Sequence, residues 1–208
     1  MLKKICGLTR PEDVELCLQL GFDCHGFIFH QPSPRAVSPE QVAALPKGRA
    51  ARVGVFVNQT IDEIVQIMHR ADLDLAQLHG DFSPEQCRDL GRDRVIKTFW
   101  PDRHTTEAEL QRAIDPYAAV CRFYLFDAGR QGGGHGTGIH GLPMLQAIEP
   151  ALPWFLAGGL SLETIPVLLE SCRPSGLDVN SGAESRPGCK DPDLLRRLCR
   201  LELRPNAE

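Results

Sequence analysis

A chain of 208 residues is long enough to bury one sizeable core, and its formal net charge of −4 comes without a basic block, so neither nucleic acid nor an anionic membrane surface is suggested as a partner. No apolar run reaches bilayer length, and the opening Met1-Leu2-Lys3-Lys4-Ile5-Cys6 has too short an apolar core for a secretory signal. Eight cysteines stand singly, with no Cys-x-x-Cys pair and no Cys/His cluster at zinc spacing, which predicts reduced thiols, a cytoplasmic setting and no metal.

Leu2 to Cys6 reads as a strand ending at Gly7. Thr9-Arg10-Pro11-Glu12 then opens a helix, with Thr9 as N-cap and Pro11 in the first turn, and Leu16, Leu18 and Leu20 carry it to Gly21. A second strand, Cys24 to Phe29, gives way to the loop His30 to Val37, and Ser38-Pro39-Glu40 opens the next helix. The alternation continues with strands at Arg52–Val57, Leu73–Leu78, Val95–Phe99 and Phe123–Asp127, separated by helices at Thr60–Arg70, Ser83–Leu90 and Glu107–Ile114. A loop from Gly129 to Gly141, seven of whose thirteen residues are glycine, precedes a helix from Leu142 to Ile148. Strands at Trp154–Ala157 and Gly176–Val179 follow, with a helix between them and a last helix from Asp191 to Leu198.

Eight strands, each followed by a helix at roughly 25-residue intervals, predict a parallel α/β sheet closed into a (β/α)8 TIM barrel, one domain spanning residues 1–208. The alternative is an open doubly wound sheet, which the absence of a Gly-x-Gly-x-x-Gly after the first strand weakens.

Active sites of such barrels lie where the strands end at the C-terminal face. The residues at those ends are Cys6, Arg35 in the loop after the second strand, Gln77, His79, Asp127, Asp178 and Ser181. The turns Gly158-Gly159 and Asn180-Ser181-Gly182 end the seventh and eighth strands, where close backbone approach and peptide N–H groups suit a phosphate. Cys6 needs a cationic neighbour to be partly thiolate at neutral pH, and Lys4 shares its strand face, although a simply packed thiol is the alternative. Asp127 follows four apolar or aromatic residues, which favour a protonated carboxyl fit to act as general acid; the alternative is a turn aspartate. Arg35 is a carboxylate ligand or a solvated loop arginine, and His79 a site residue or a satisfied strand-end histidine.

In chain order, Lys4-Ile5-Cys6-Gly7, Gly26-Phe27-Ile28-Phe29 with Ser33-Pro34-Arg35, Val53-Gly54-Val55-Phe56-Val57, Gln77-Leu78-His79-Gly80, Leu125-Phe126-Asp127, Leu156-Ala157-Gly158-Gly159-Leu160 and Asp178-Val179-Asn180-Ser181-Gly182 with Pro187 to Asp191 resemble the motifs of the phosphoribosylanthranilate isomerases of tryptophan biosynthesis. The resemblance covers nearly the whole chain. It implies an Amadori rearrangement of N-(5-phosphoribosyl)anthranilate without a cofactor, in a monomer or homodimer. Cys6 would be the base and Asp127 the acid, with Arg35, Gln77, His79 and Asp178 binding substrate and Gly158, Gly159, Ser181 and Gly182 binding its phosphate. One segment departs from the pattern: where the family carries Phe-Asp-Trp shortly after Gly-Thr-Gly, this chain runs Gly136-Thr137-Gly138-Ile139-His140-Gly141-Leu142-Pro143. The glycine content of Gly129 to Gly141 predicts a loop that orders only when substrate binds. Two other functions stay open: the related histidine-pathway isomerase, which carries an aspartate where Cys6 stands, and a phosphosugar-binding barrel without catalysis.

Overall fold

In a computed structural model that describes residues 1–128 and 142–201, eight short, largely apolar strands alternate with eight helices. The strands are β1 (Leu2–Ile5), β2 (Cys24–Ile28), β3 (Ala51–Phe56), β4 (Leu75–Leu78), β5 (Val95–Phe99), β6 (Phe123–Asp127), β7 (Trp154–Ala157) and β8 (Gly176–Val179). The helices are α1 (Pro11–Leu20), α2 (Pro39–Ala43), α3 (Ile61–Arg70), α4 (Pro84–Leu90), α5 (Glu107–Ile114), α6 (Leu142–Ala147), α7 (Thr164–Ser171) and α8 (Pro192–Arg200). Every neighbouring pair of strands is parallel, and β1 pairs with β8 as well as β2, from Leu2 opposite Gly176 to Ile5 opposite Val179. That last pairing closes the barrel and rules out the open sheet.

The period of two along each strand sorts side chains into two cores. One set, Cys24, Val53, Leu75, Ile96, Leu125 and Phe155, meets inside the barrel. The other, which includes Phe27, Phe56, Leu78, Phe99, Tyr124 and Phe126, packs against the helices. Above the apolar plug the inward residues turn polar, and there the chemistry collects. The loops at this end are braced by helix caps. Ser38, Thr60 and Ser83 form reciprocal capping boxes with Gln41, Glu63 and Gln86, and the Asp191 carboxylate accepts from the N–H groups of Asp193 and Leu194 at the start of α8.

Three local expectations are corrected. Thr9 does not cap α1: the helix begins at Pro11, so Arg10, whose carbonyl accepts from the Val14 N–H, holds the N-cap position without a side-chain cap bond, and the Thr9 hydroxyl donates to the Gly188 carbonyl at 2.6 Å. The buried face of α1 is Asp13, Val14 and Cys17, while Leu16, Leu18 and Leu20 are only half-buried, since i+2 spacing cannot share one helix face. Between β8 and α8 the chain adds a short turn, Ser181–Ala183, and a hairpin of β9 (Glu184–Arg186) and β10 (Cys189–Lys190). That hairpin escapes sequence reading because its polar residues carry no apolar alternation. The Gly129 to Gly141 loop, with the divergence at Gly136 to Gly141, lies outside the described residues. Among the described residues no helix is long and apolar enough to cross a membrane.

Candidate active site

At the C-terminal ends of the strands the barrel opens into a cavity of about 370 Å³. Nine of the ten residues expected from sequence line it: Cys6, Arg35, Gln77, His79, Asp127, Gly158, Gly159, Asp178 and Ser181. Gly182 lies just behind the wall. A Cβ there would stand 1.9 Å from the Leu160 carbonyl oxygen, so the residue lets the turn after β8 press against the turn after β7. Gly158 and Gly159 both have positive φ, 93° and 68°, which a side chain would resist.

Cys6 leaves β1 with its N–H bonded to the Val179 carbonyl at 2.9 Å and is 5% exposed. The inward face that it shares with Lys4 is realised: Lys4 is buried, and its ammonium stands 2.8 Å from Asp178 Oδ2 on the neighbouring strand, where the register sets Lys4 opposite Asp178. Gly26 makes the space, because a Cβ there would fall 2.8 Å from Cys6 Sγ and 3.1 Å from Lys4 Nζ. Burial alone would lower the lysine pKa, but the Asp178 carboxylate and the Cys6 sulfur outweigh it and hold Lys4 above the ordinary lysine range. The Cys6 thiol moves up, first through burial; Lys4 and Lys190 pull it down, and Asp178 opposes them. The expected cationic neighbour is therefore present, yet its charge is shared with Asp178, and the resting thiol keeps its proton at neutral pH. Asp178 Oδ1 is buried and without a hydrogen bond among the described residues.

Asp127 closes β6 and is 8% exposed, with Oδ2 3.8 Å from His79 Nε2. Burial, reinforced by the positive charges of Lys4, Lys97 and Arg103, lowers the His79 pKa to about 4, so the imidazole is neutral at physiological pH and this contact is not an ion pair there. The ring packs edge-on against Trp100 at 5.0 Å. Gln77, on the same inward face of the chain two residues earlier, has a buried Oε1 with no partner among the described residues, so it offers an acceptor to whatever enters.

Arg35 is 9% exposed and anything but a solvated loop arginine. Its Nε and Nη2 donate to Glu184 on β9 at 2.6 to 3.1 Å, and Glu184 also accepts from Lys190 at 2.9 Å. Lys190 donates in turn to the carbonyl and side-chain oxygens of Asn180, both at 3.1 Å. Sequence reasoning missed Glu184, which sits in a polar run with no distinguishing pattern; Lys190 and Asn180 were visible only as parts of longer motifs. No group of three or more His, Cys, Asp or Glu side chains among the described residues is placed to hold a metal ion.

A closed (β/α)8 barrel whose C-terminal-face cavity gathers a thiol, a carboxyl, a clamped arginine and two glycine turns has the architecture of a barrel enzyme acting on a small anionic substrate. Residues 3–200 match the family model of N-(5'-phosphoribosyl)anthranilate (PRA) isomerase. The chain is 42% identical over 195 residues to the N-(5'-phosphoribosyl)anthranilate isomerase of Maridesulfovibrio salexigens, covering 94% of this chain and 95% of that one. It is 46% identical to the enzyme of Desulfovibrio desulfuricans, covering 94% and 92%. Among solved structures it resembles the phosphoribosyl anthranilate isomerase of Thermotoga maritima, with a TM-score of 0.83, 31% identity and coverage of 95% and 96%. A phosphoribosyl anthranilate isomerase in complex with reduced 1-(o-carboxyphenylamino)-1-deoxyribulose 5-phosphate is also similar, with a TM-score of 0.76, 31% identity and coverage of 96% and 97%. The chain belongs to the N-(5'-phosphoribosyl)anthranilate isomerase family.

Proposed function

We propose that the chain converts N-(5-phosphoribosyl)anthranilate to 1-(2-carboxyphenylamino)-1-deoxyribulose 5-phosphate, an aldose–ketose isomerisation in tryptophan biosynthesis, with Cys6 as base and Asp127 as acid. The observation that carries these roles is that Cys6 and Asp127 enter one cavity from β1 and β6, three strands apart around the barrel, so that a sugar between them meets a proton donor on one side and an acceptor on the other.

Asp127 gives its proton to the ribose ring oxygen as the C1–O bond breaks, and the anilino nitrogen lone pair takes up the vacancy as an iminium. That iminium acidifies the C2 hydrogen, which Cys6 removes as thiolate, and the resulting enolamine tautomerises to the ketose. A raised thiol pKa makes the thiolate scarce but a stronger base once formed, and Lys4 stands beside the sulfur to stabilise the anion. Neutral His79 packs beside Asp127, and the contact between them is not an ion pair at physiological pH. Asp178 Oδ1 and Gln77 Oε1 are acceptors suited to sugar hydroxyls, Arg35 to the anthranilate carboxylate, and Gly158, Gly159, Ser181 and Gly182 to the phosphate.

The protein would act in the cytoplasm, as a monomer or homodimer. Turnover is read directly by loss of the anthranilate-type fluorescence of the substrate. Binding of the reduced product without any turnover would replace this reading with that of a phosphosugar-binding barrel.

A further inference from the structure

The hairpin β9–β10 brings two ionised groups to the rim of the cavity and buries both: the side chain of Glu184 is 3% exposed and that of Lys190 is 0% exposed. A buried carboxylate is costly unless cations and donors meet its lone pairs. Here they do. Oε1 accepts from Arg35 Nε at 2.9 Å, Lys190 Nζ at 2.9 Å and the Gly188 N–H at 3.2 Å, and Oε2 from Arg35 Nη2 at 2.6 Å. Burial opposes ionisation of Glu184, but Arg35 and Lys190 outweigh it and hold the carboxyl below its usual range. The Nε–Nη2 edge of Arg35 is thus taken, while no described residue engages Nη1, and Arg35 lines the cavity.

We propose that Glu184 is a positioning residue that acts through Arg35: it fixes the guanidinium so that the remaining donors form a rigid carboxylate-binding edge, and it thereby sets the preference for an arylamine carrying a ring carboxylate. This rests on the reading of Arg35 as the ligand of that carboxylate. An arginine left to itself would lose rotamer freedom each time substrate bound; clamped in advance by Glu184, it has already lost it. The clamp does not cancel the attraction for an anion, because Lys190 supplies the second positive charge and the Arg35–Glu184–Lys190 cluster stays net positive. The same carboxylate ties Arg35, from the loop after β2, to Asn180, which follows β8, through Lys190.

The test compares Glu184→Gln, Arg35→Ala and the double variant for KM and kcat, with inorganic phosphate as a competing ligand. Glu184→Gln should raise KM about tenfold, keep kcat within about twofold, and leave the inhibition constant of inorganic phosphate unchanged. The double variant should be no worse than Arg35→Ala alone, because a positioning residue has nothing left to position. Glu184→Asp keeps the charge that Lys190 needs while falling short of Arg35; it carries the same expectation and serves if Glu184→Gln does not fold. Additive losses in the double variant, an unchanged KM in a folded Glu184 variant, or a parallel loss of phosphate affinity would each overturn the proposal, the last by tracing the effect to Asn180. An unchanged KM in Arg35→Ala would instead remove Arg35 from carboxylate binding and take the underlying reading with it.

Discussion

Two arginines, nearly equal in burial, divide the roles of this barrel between them. Arg52, 6% exposed on β3, faces the helix layer: its Nη2 donates to the Val42 carbonyl at 2.5 Å and to the Ala71 carbonyl at 3.2 Å, and its guanidinium lies 5.1 Å over the Phe27 ring. Arg35, 9% exposed at the rim, is held by a carboxylate and faces a cavity. Burial pulls the Arg52 pKa down against the opposing charges of Asp72 and Asp74, whereas the hydrogen bonds of Glu184 hold Arg35 above its ordinary value. The difference is where the donors end. A cation spent on fixed backbone carbonyls staples elements together, and one balanced by a carboxylate keeps donors for a ligand. The same contrast separates the wall of the barrel from its mouth.

The sharpest way to break that contrast is at the proposed base and acid. Cys6→Ala and Asp127→Asn should each lower kcat at least about a hundredfold, the lower range for a lost acid or base, while the folded fraction by circular dichroism stays unchanged. Either variant retaining near-normal kcat loses its assigned role. Next come the arginines themselves. Arg35→Ala should raise KM about 10- to 150-fold, equivalent to a charge-assisted pair of about 1.5 to 3 kcal/mol, and should also lower stability, because the buried Glu184 carboxylate is left with Lys190 as its remaining cation. Arg52→Met should lower stability by about 2 kcal/mol in urea titration through stranded buried carbonyls while KM holds, so KM is what separates the two variants. If the two variants gave the same pattern, wall and mouth would not be separable by where the donors end.

Protonation sharpens the comparison on the wall side. Burial, with Arg52 nearby, lowers His25 to about 4, and His79 is likewise lowered to about 4. Both are neutral in the fold, and in the unfolded chain they titrate near 6.5. The unfolded state therefore binds more protons between those values: the stability that neutral burial provides is complete above about pH 6.5 and is lost as pH falls toward 4, by up to about 3 kcal/mol per histidine. Thermal midpoints recorded from pH 7.5 to 4.5 should fall, and His25→Gln should flatten part of that fall; an unchanged slope would exclude His25. The smallest effect belongs to the braces. Thr60→Ala, which removes the capping box of α3, should cost about 1 kcal/mol of stability and leave KM alone.

How much of this was legible before any coordinates depended on the range of the interaction concerned. Periodicity and caps are local, so β5, β6, β7, β8 and α5 have the bounds that the sequence predicts, and Ser38, Thr60, Ser83 and Asp191 stand where helices begin. Strand-end position, also local once a barrel is inferred, named nine residues that line the cavity. Thr9 failed as a cap because α1 begins one residue later than expected, with Arg10 at the N-cap, and the Thr9 hydroxyl donates to the carbonyl of the remote Gly188, a contact that no local rule includes.

The sequence by itself determined the alternation of strand and helix, and through it a parallel barrel, the end at which its chemistry gathers and the family to which the motifs point. Only the tertiary structure decided how the charges are shared. Barrel closure sets Lys4 beside Asp178, two residues 174 positions apart, so burial, the larger effect, pushes the Cys6 thiol up while the lysine charge that would draw it down is shared. The unforeseen hairpin brings Glu184 to Arg35 across 149 positions and uses half of a guanidinium that sequence alone would leave free. Both outcomes rest on desolvation and on pairings between remote segments, and neither quantity is written in the spacing of residues along the chain.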